Sequence, residues 1–440
     1  MAGGNWGSQN KVRPGAYTNF ETNDLATTGL DSVGAVVIPL KLDWGETGKF
    51  IPVTSNSKFK ELFGKSLGDL LPIREAFKGT GRVIVYNLSG STGVKATAKS
   101  GEDGVIVTAT HAGSDGNKVS VTVSVGLTGT ATVRTFYEGA TVDSQVVSKV
   151  SDLKSNAYVT FTGELPTADA VLTLSGGTTP PVTNESYSDF AEGLDTQIFK
   201  VVAVGTDDET VKLLMTLKIK QWRADEGKNV TLVTNDYKTA DHEGVVSVLN
   251  GVTLTGGEEL SAIESVYWYA AAYANSTTNS LTYAEYPGAI DVERKTHEEI
   301  VKALQDGHII YTYNAGADGV DRIVVEQDIN TFRSFTPSKN QDFRKNKIVR
   351  QMDIMSNNIQ HIWSRFFIGK VNNNEDGRNL FKGQVMTVVL DPLVRVGAIE
   401  PYDAADLDFQ QGAEKDAVLA GLGVKFVDAM EKLYTTVHCK

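Results

Sequence analysis

Cysteine is almost missing from this chain: Cys439 stands alone in 440 residues. An intramolecular disulfide framework is therefore excluded, as is a zinc site built from clustered thiolates. Histidine is scarce, with six copies at positions 111, 242, 297, 308, 361 and 438. No run approaches the roughly 20 apolar residues that a membrane-spanning helix requires. The opening MAGGNWGSQNKVRPG lacks the apolar stretch of a secretory signal, so a reducing cytoplasm is the expected folding compartment. Positive charge is also short. Lys and Arg total 42 against 54 Asp and Glu, a net charge of -12 at pH 7. That balance argues against nucleic acid, whose phosphates call for a cationic surplus, and against an anionic membrane surface.

What is present describes a globular chain of several domains. Hydrophobic residues make up 41% and charged residues 22%, and the length exceeds one ordinary core. Residues 1–30 are rich in Gly, Asn and Thr, a composition that cannot offset its own ordering entropy and reads as an arm or linker. Residues 31–93 hold two buried-strand runs, VGAVVIPL and RVIVYNL, with short helices between them. Over 94–178 nearly every segment alternates Val or Thr with polar residues between Gly and Asp turns, the pattern of an inserted antiparallel β-sandwich or barrel. Strands then alternate with helices across 182–330, which predicts an α/β layer with a largely parallel sheet. Helices are expected at 207–226, 260–274 and 293–304.

An α+β section is expected over 331–420. Ile348, Met352, Met355, Ile359, Ile362 and Phe366 step by four and three, placing one apolar stripe on one helix face. A second helix follows at 376–395. From Val424 the chain reads VKFVDAMEKLYTTVHCK, whose β-branched and aromatic content predicts a terminal strand seeking a partner outside its own neighbourhood, with 421–440 as an arm. The fold class is thus α/β plus all-β, with extended segments at both ends.

Several fragments imitate catalytic motifs and miss on spacing. Gly64-Lys65-Ser66 would close a phosphate-cradling loop, but Phe59 stands where its first glycine belongs. Asn372, Asn374, Asp376 and Gly377 imitate half a calcium loop whose twelfth position is Gly383 instead of an acid. His297-Glu298 lacks its second histidine because Val301 occupies the place. No metal or cofactor site is expected. The alternative function is an α/β hydrolase using Asp241, His242 and an unidentified serine. Lys339, Arg344, Lys345, Lys347 and Arg350 form a basic cluster in an otherwise acidic chain, which reads as a docking patch for an acidic partner.

RPGAYTNF (13–20), VGAVVIPLKLDWG (33–45), VVEQDINTF (324–332), FFIGKVNNNEDGRNL (366–380) and VDAMEKLYTTV (427–437) occur in this order along the chain. In that combination the sequence resembles contractile tail sheath proteins of bacteriophages and phage-tail-like bacteriocins, of the Gram-positive myophage and defective prophage type. The resemblance implies a central α/β domain of subtilisin-like shape without a working triad, a variable inserted β module, and a non-enzymatic structural role. It further implies stacked hexameric rings around a tail tube, contracting to drive the tube through a cell envelope, with baseplate and tail terminator proteins as further partners. Such a protein is made in the bacterial host cytoplasm and joins a virion tail or phage-tail-like particle. Tyr17, Phe20, Val424, Phe426, Val427, Leu433, Tyr434 and Val437 would lie on arms joining subunits. The basic cluster would face the tube.

Overall fold

The computed structural model describes residues 35–438, apart from 91, 103, 127–128 and 317–318, together with two short parallel strands, Ala2–Gly4 and Gly15–Tyr17. A seven-stranded sheet lies at the centre. Its order is His308–Ile309, Val245–Val248, Thr231–Asn235, Val201–Val204, Val36–Leu40, Val83–Asn87 and Phe50–Val53. Neighbours run parallel except the last pair. The chain enters the sheet in its middle, builds outward through Val83–Asn87, then returns to build the other side from Val201–Val204.

These strands are apolar at successive positions because both faces are covered. Val36, Ile38, Val201, Ala203 and Val233 face one core, shared with helices Leu71–Phe77 and Ala262–Asn275. Val37, Val202, Val204 and Leu232 face the other, under helices Asn184–Gly193 and Glu209–Gln221. Local signals set the helix starts: Ser261 and Glu264 form a reciprocal cap, and the Asp208 carboxylate accepts the N–H groups of Thr210 and Val211. Gly79 lets the turn after Leu71–Phe77 press onto the long helix, since a Cβ there would stand 2.6 Å from the Ala272 nitrogen.

Between Val83–Asn87 and Asn184–Gly193 the chain forms two antiparallel sheets. Ala140–Val147, Ala131–Tyr137, Val119–Val125 and Ala170–Thr173 make one; Val159–Thr162, Ile106–Ala109 and Thr97–Lys99 make the other. Alternate side chains meet in a single core, to which Trp44 of the central fold also belongs. Trp44 is fully buried, packs edge-on against His111 and tilted against Tyr137 and Tyr158, and donates its indole N–H to the Glu61 carbonyl at 3.0 Å. The Tyr137 hydroxyl donates to the Gly64 carbonyl at 2.6 Å. The Gly-Lys-Ser fragment is therefore a joint: Gly64, at φ +71°, closes helix Phe59–Phe63, and a Cβ there would stand 2.8 Å from that of Trp44.

The last section opens with helix Asn346–Ile362, continued by a wide turn at Trp363–Phe367, then Glu375–Gln384, Val385–Leu390 and Asp391–Arg395, and a hairpin of Leu407–Gln411 with Val418–Leu422. One expectation is corrected by this architecture. The apolar stripe ends on buried Phe367 and not on Phe366, because the wide turn takes up one extra residue and rotates the side chains beyond it. From Val424 onward the described residues make only a single bridge within their own subunit, between Phe426 and Ile399. The apolar run from His308 to Tyr313 is divided at Ile310: its first part joins the central sheet, and Tyr311–Ala315 pairs with Asp321–Val325.

The Trp44 joint yields a prediction. Trp44→Ala should cost about 3–5 kcal/mol through the cavity it leaves, and Tyr137→Phe about 1 kcal/mol through one lost hydrogen bond. Denaturant unfolding measures both, and a Trp44→Ala midpoint equal to the parent's would mean the two cores do not lean on each other.

Candidate functional site

The segment after the hairpin has three parts with different surroundings. Gly423–Val427 runs beside Ala398–Glu400, with Glu400 N–H donating to the Lys425 carbonyl at 2.9 Å and Val427 N–H to the Ala398 carbonyl at 3.0 Å. Val424 and Phe426 pack on the core of their own C-terminal section, so these candidate arm residues sit at home. Asp428–Lys432 crosses to the central fold. There the Lys345 ammonium pairs with Asp428 at 3.2 Å and with Glu431, whose oxygens also accept from Thr282 and Gln327, each at 2.8 Å. Beyond this point the chain lies in the open: Leu433 is 90% exposed, Tyr434 88% and Val437 78%, as is Met430 within the crossing. Of the other arm candidates, Tyr17 falls in the short strand Gly15–Tyr17, Val427 is half-buried, and Phe20 lies outside the described residues.

The basic cluster turns inward, which corrects the expected docking patch. Arg350 is fully buried and meets the Asp328 carboxylate at 2.8 Å. It also donates to the Asn279 carbonyl at 2.7 Å and lies over the Tyr273 ring, 4.6 Å from its centroid. Asp328 further accepts the Tyr269 hydroxyl at 2.6 Å and the Leu281 N–H at 2.9 Å. Burial alone would raise this carboxyl; the Arg350 guanidinium and those donors hold it below the ordinary carboxylate range. Arg344 donates to the Leu304 carbonyl, Lys339 pairs with Glu243 at 2.6 Å, and Lys347 is buried. Arg344, Lys347 and Arg350 lie where the helix meets the central fold, while Lys339 keeps 42% of its side chain exposed beside Glu243. They do not share an outward face.

The hydrolase alternative also meets the geometry. Asp241, at φ +43°, accepts the N–H groups of Arg333 and Ser334 at 2.6 and 3.1 Å together with the Ser334 hydroxyl, so its carboxylate serves the loop. The His242 Nδ1 accepts the Gly244 N–H at 3.0 Å, and burial pushes this ring down to about 4, leaving it neutral at pH 7. Asp241 therefore does not orient His242. A different serine and histidine do meet: Ser247 Oγ stands 2.9 Å from His308 Nδ1, with Asp236 at 3.9 Å from Nε2. Sequence reading missed this pair because 61 residues separate its members. Ser247 is fully buried in the sheet and its oxygen accepts the Tyr237 N–H at 2.7 Å, so substrate has no route to it. Among the described residues no group of three or more His, Cys, Asp or Glu side chains converges to hold a metal ion, and no helix is long and apolar enough to cross a membrane.

Comparison with known proteins covers nearly the whole described length. Residues 34–88 match the N-terminal region of tail sheath protein Gp18 domain III, 91–179 the phage tail sheath protein beta-sandwich domain, 181–331 the phage tail sheath protein central domain, and 338–440 the phage tail sheath C-terminal domain. The sheath tail protein of Desulfitobacterium hafniense is similar in structure with a TM-score of 0.83, at 34% identity over 97% of this chain and 100% of that one. That of Listeria innocua has a TM-score of 0.78 at 30% identity, covering 94% and 98%. The phage-like element PBSX protein XkdK of Bacillus subtilis is 34% identical over 461 residues, 97% of each chain.

Asp328→Ala should cost about 3–5 kcal/mol, because it leaves the Arg350 charge buried without its anion; Asp328→Leu with Arg350→Met should recover most of that. Asp328 and Glu431 both titrate below their ordinary values when folded, Glu431 because Lys345, Gln327 and Thr282 outweigh its burial. Their contribution is complete above the unfolded pKa of about 4 and disappears as pH falls through the lower folded values. Melting temperature should therefore fall steeply below about pH 4 in the parent and less steeply in the double apolar variant. Parallel pH profiles for the two proteins would refute this.

Proposed function

Because this chain belongs to the phage tail sheath family, we propose that copies of it stack as hexameric rings around a tail tube and contract to drive that tube through a cell envelope. It is a structural protein of a phage or prophage tail. Residues 31–93 and 182–330 serve as the central α/β domain, of subtilisin-like outline, with 94–178 as an inserted β module and 331–420 as the C-terminal α+β domain. Residues 1–30 and 421–440 act as arms, the second rooted on the C-terminal core through Val424 and Phe426. Its partners are other copies, the tail tube, the baseplate and the tail terminator, and it is made in the host cytoplasm before joining the particle. No step calls for catalysis.

The observation that carries this reading is the exposed run beyond Lys432. Leu433, Tyr434 and Val437 are apolar, suited to a pleated strand, and touch little of their own subunit. A strand of that kind finds its backbone partners by adding to a neighbour's sheet, at about 1 kcal/mol net for each hydrogen bond. The subunit behind it is stiff, since the helix joint is buried and ion-paired. Rings held by such arms can exchange one set of rigid contacts for another, as a bistable interface does.

Removal of 433–440 is the test. A cut at 424 would also strip Val424 and Phe426 from the C-terminal core, confusing assembly with folding. The chain ending at Lys432 should keep the parent's circular dichroism and melting curve yet form no long tubes under negative stain. Normal tubes from that protein would refute the arm mechanism.

A further inference from the structure

How the root of the arm is held is a separate question from what its tip does. Residues 428–432 pass between two clefts, one of about 600 Å³ walled by Ile300, Leu304 and Phe335, the other of about 710 Å³ beside Met430 and Leu433. With open space on both sides, apolar packing does little to fasten this stretch. Its polar contacts do. Glu431 keeps only 9% of its side-chain surface exposed, between the exposed Met430 and Lys432. A carboxylate is buried at a cost unless partners await it, and three do: Lys345, Thr282 and Gln327. Thr282 then extends the chain of contacts, because the hydroxyl that donates to Glu431 accepts the Asp328 N–H at 3.0 Å. Asp328 in turn holds Arg350. A continuous polar path thus runs from the arm to the buried joint of the subunit.

We propose that Glu431 is the positioning residue of the arm, clamped by Lys345, Thr282 and Gln327 so that the arm leaves the subunit at a fixed point and its tension passes into the Asp328–Arg350 joint. This rests on the arm reading given above. Asp428 supports the clamp through its own ion pair with Lys345 at 3.2 Å. Without the clamp, the next anchor back is the Val427–Ala398 hydrogen bond. Arm tension would then fall on the C-terminal section alone.

The full-length protein tests this through Lys345→Met, Glu431→Gln, and the exchanged pair Lys345→Glu with Glu431→Lys. Lys345→Met leaves the arm's own sequence intact, so trypsin cleavage after Lys432 reports the freedom of the root; it should quicken roughly tenfold, the loss expected for a charged hydrogen bond. Tube formation, followed by light scattering and negative stain, should be slowed in both single variants. The exchanged pair should regain part of the parent's rate, which a general loss of stability would not. If Lys345→Met melts well below the parent, Glu431→Gln, which alters only the arm side, gives the reading. Unchanged cleavage in Lys345→Met, or parent-like assembly from both single variants, overturns the clamp. Those results leave the arm mechanism standing, since only the protein lacking 433–440 decides that.

Discussion

The guanidinium of Arg350 and the carboxylate of Asp328 meet where neither side chain reaches solvent. Taking two charges out of water is expensive, and their attraction offsets it only if the remaining donors and acceptors are also served. Tyr269, the Leu281 N–H, the Asn279 carbonyl and the Tyr273 ring supply much of that service. Asn346 adds to it by donating to Tyr269 and to the Ile329 carbonyl. The first two turns of helix Asn346–Ile362 are thereby fixed in the central fold. Farther along, Asp353 receives both ends of the Arg223 guanidinium at 2.7 and 2.9 Å. The far half of the helix carries Ile359 and Ile362 into the separate C-terminal core. One helix thus joins two cores, polar at one end and apolar at the other.

A second joint works differently. Trp44 leaves the central sheet and completes the core of the inserted sandwich, so that region shares apolar packing with its host. Gly64 makes the approach possible by offering a carbonyl with no side chain in the way. Both joints favour a subunit that moves as a unit. The contrast is the stretch beyond Lys432, where exposed apolar residues have no partner within the described subunit, and where a mechanical protein would place what it shares with its neighbours.

Much of the architecture was legible because it is written in short-range periodicity. Val–Thr alternation between residues 94 and 178 needs only nearest neighbours to be read, and it becomes the sandwich strands. The continuous apolar runs become doubly covered strands of the central sheet. The stripe on helix Asn346–Ile362 is read in the same way, and it went astray by one residue at Phe366, where a wide turn breaks the period. The hairpin of Leu407–Gln411 with Val418–Leu422 escaped notice because its second strand, VLAGL, is apolar throughout and shows no alternation.

Charge was the harder matter. Along the chain, Lys339 to Arg350 looks like a solvent-facing basic patch, yet its partners are Glu243, Asp328 and Glu431, some of them more than eighty residues away in either direction. The same distance hid Ser247 from His308. The sequence by itself determined the division into a mixed α/β centre, an alternating β insert and a helical end, the scarcity of thiols and imidazoles, and the apolar, strand-forming character of residues 433–437. Only the tertiary structure decided which charges are buried, that Asp241 and His242 have separate hydrogen-bond partners, and that Glu431 ties residues 428–432 to the central fold. The reason is physical: strand and helix patterns express local backbone geometry, whereas the state of a charge depends on what folding brings beside it from elsewhere in the chain.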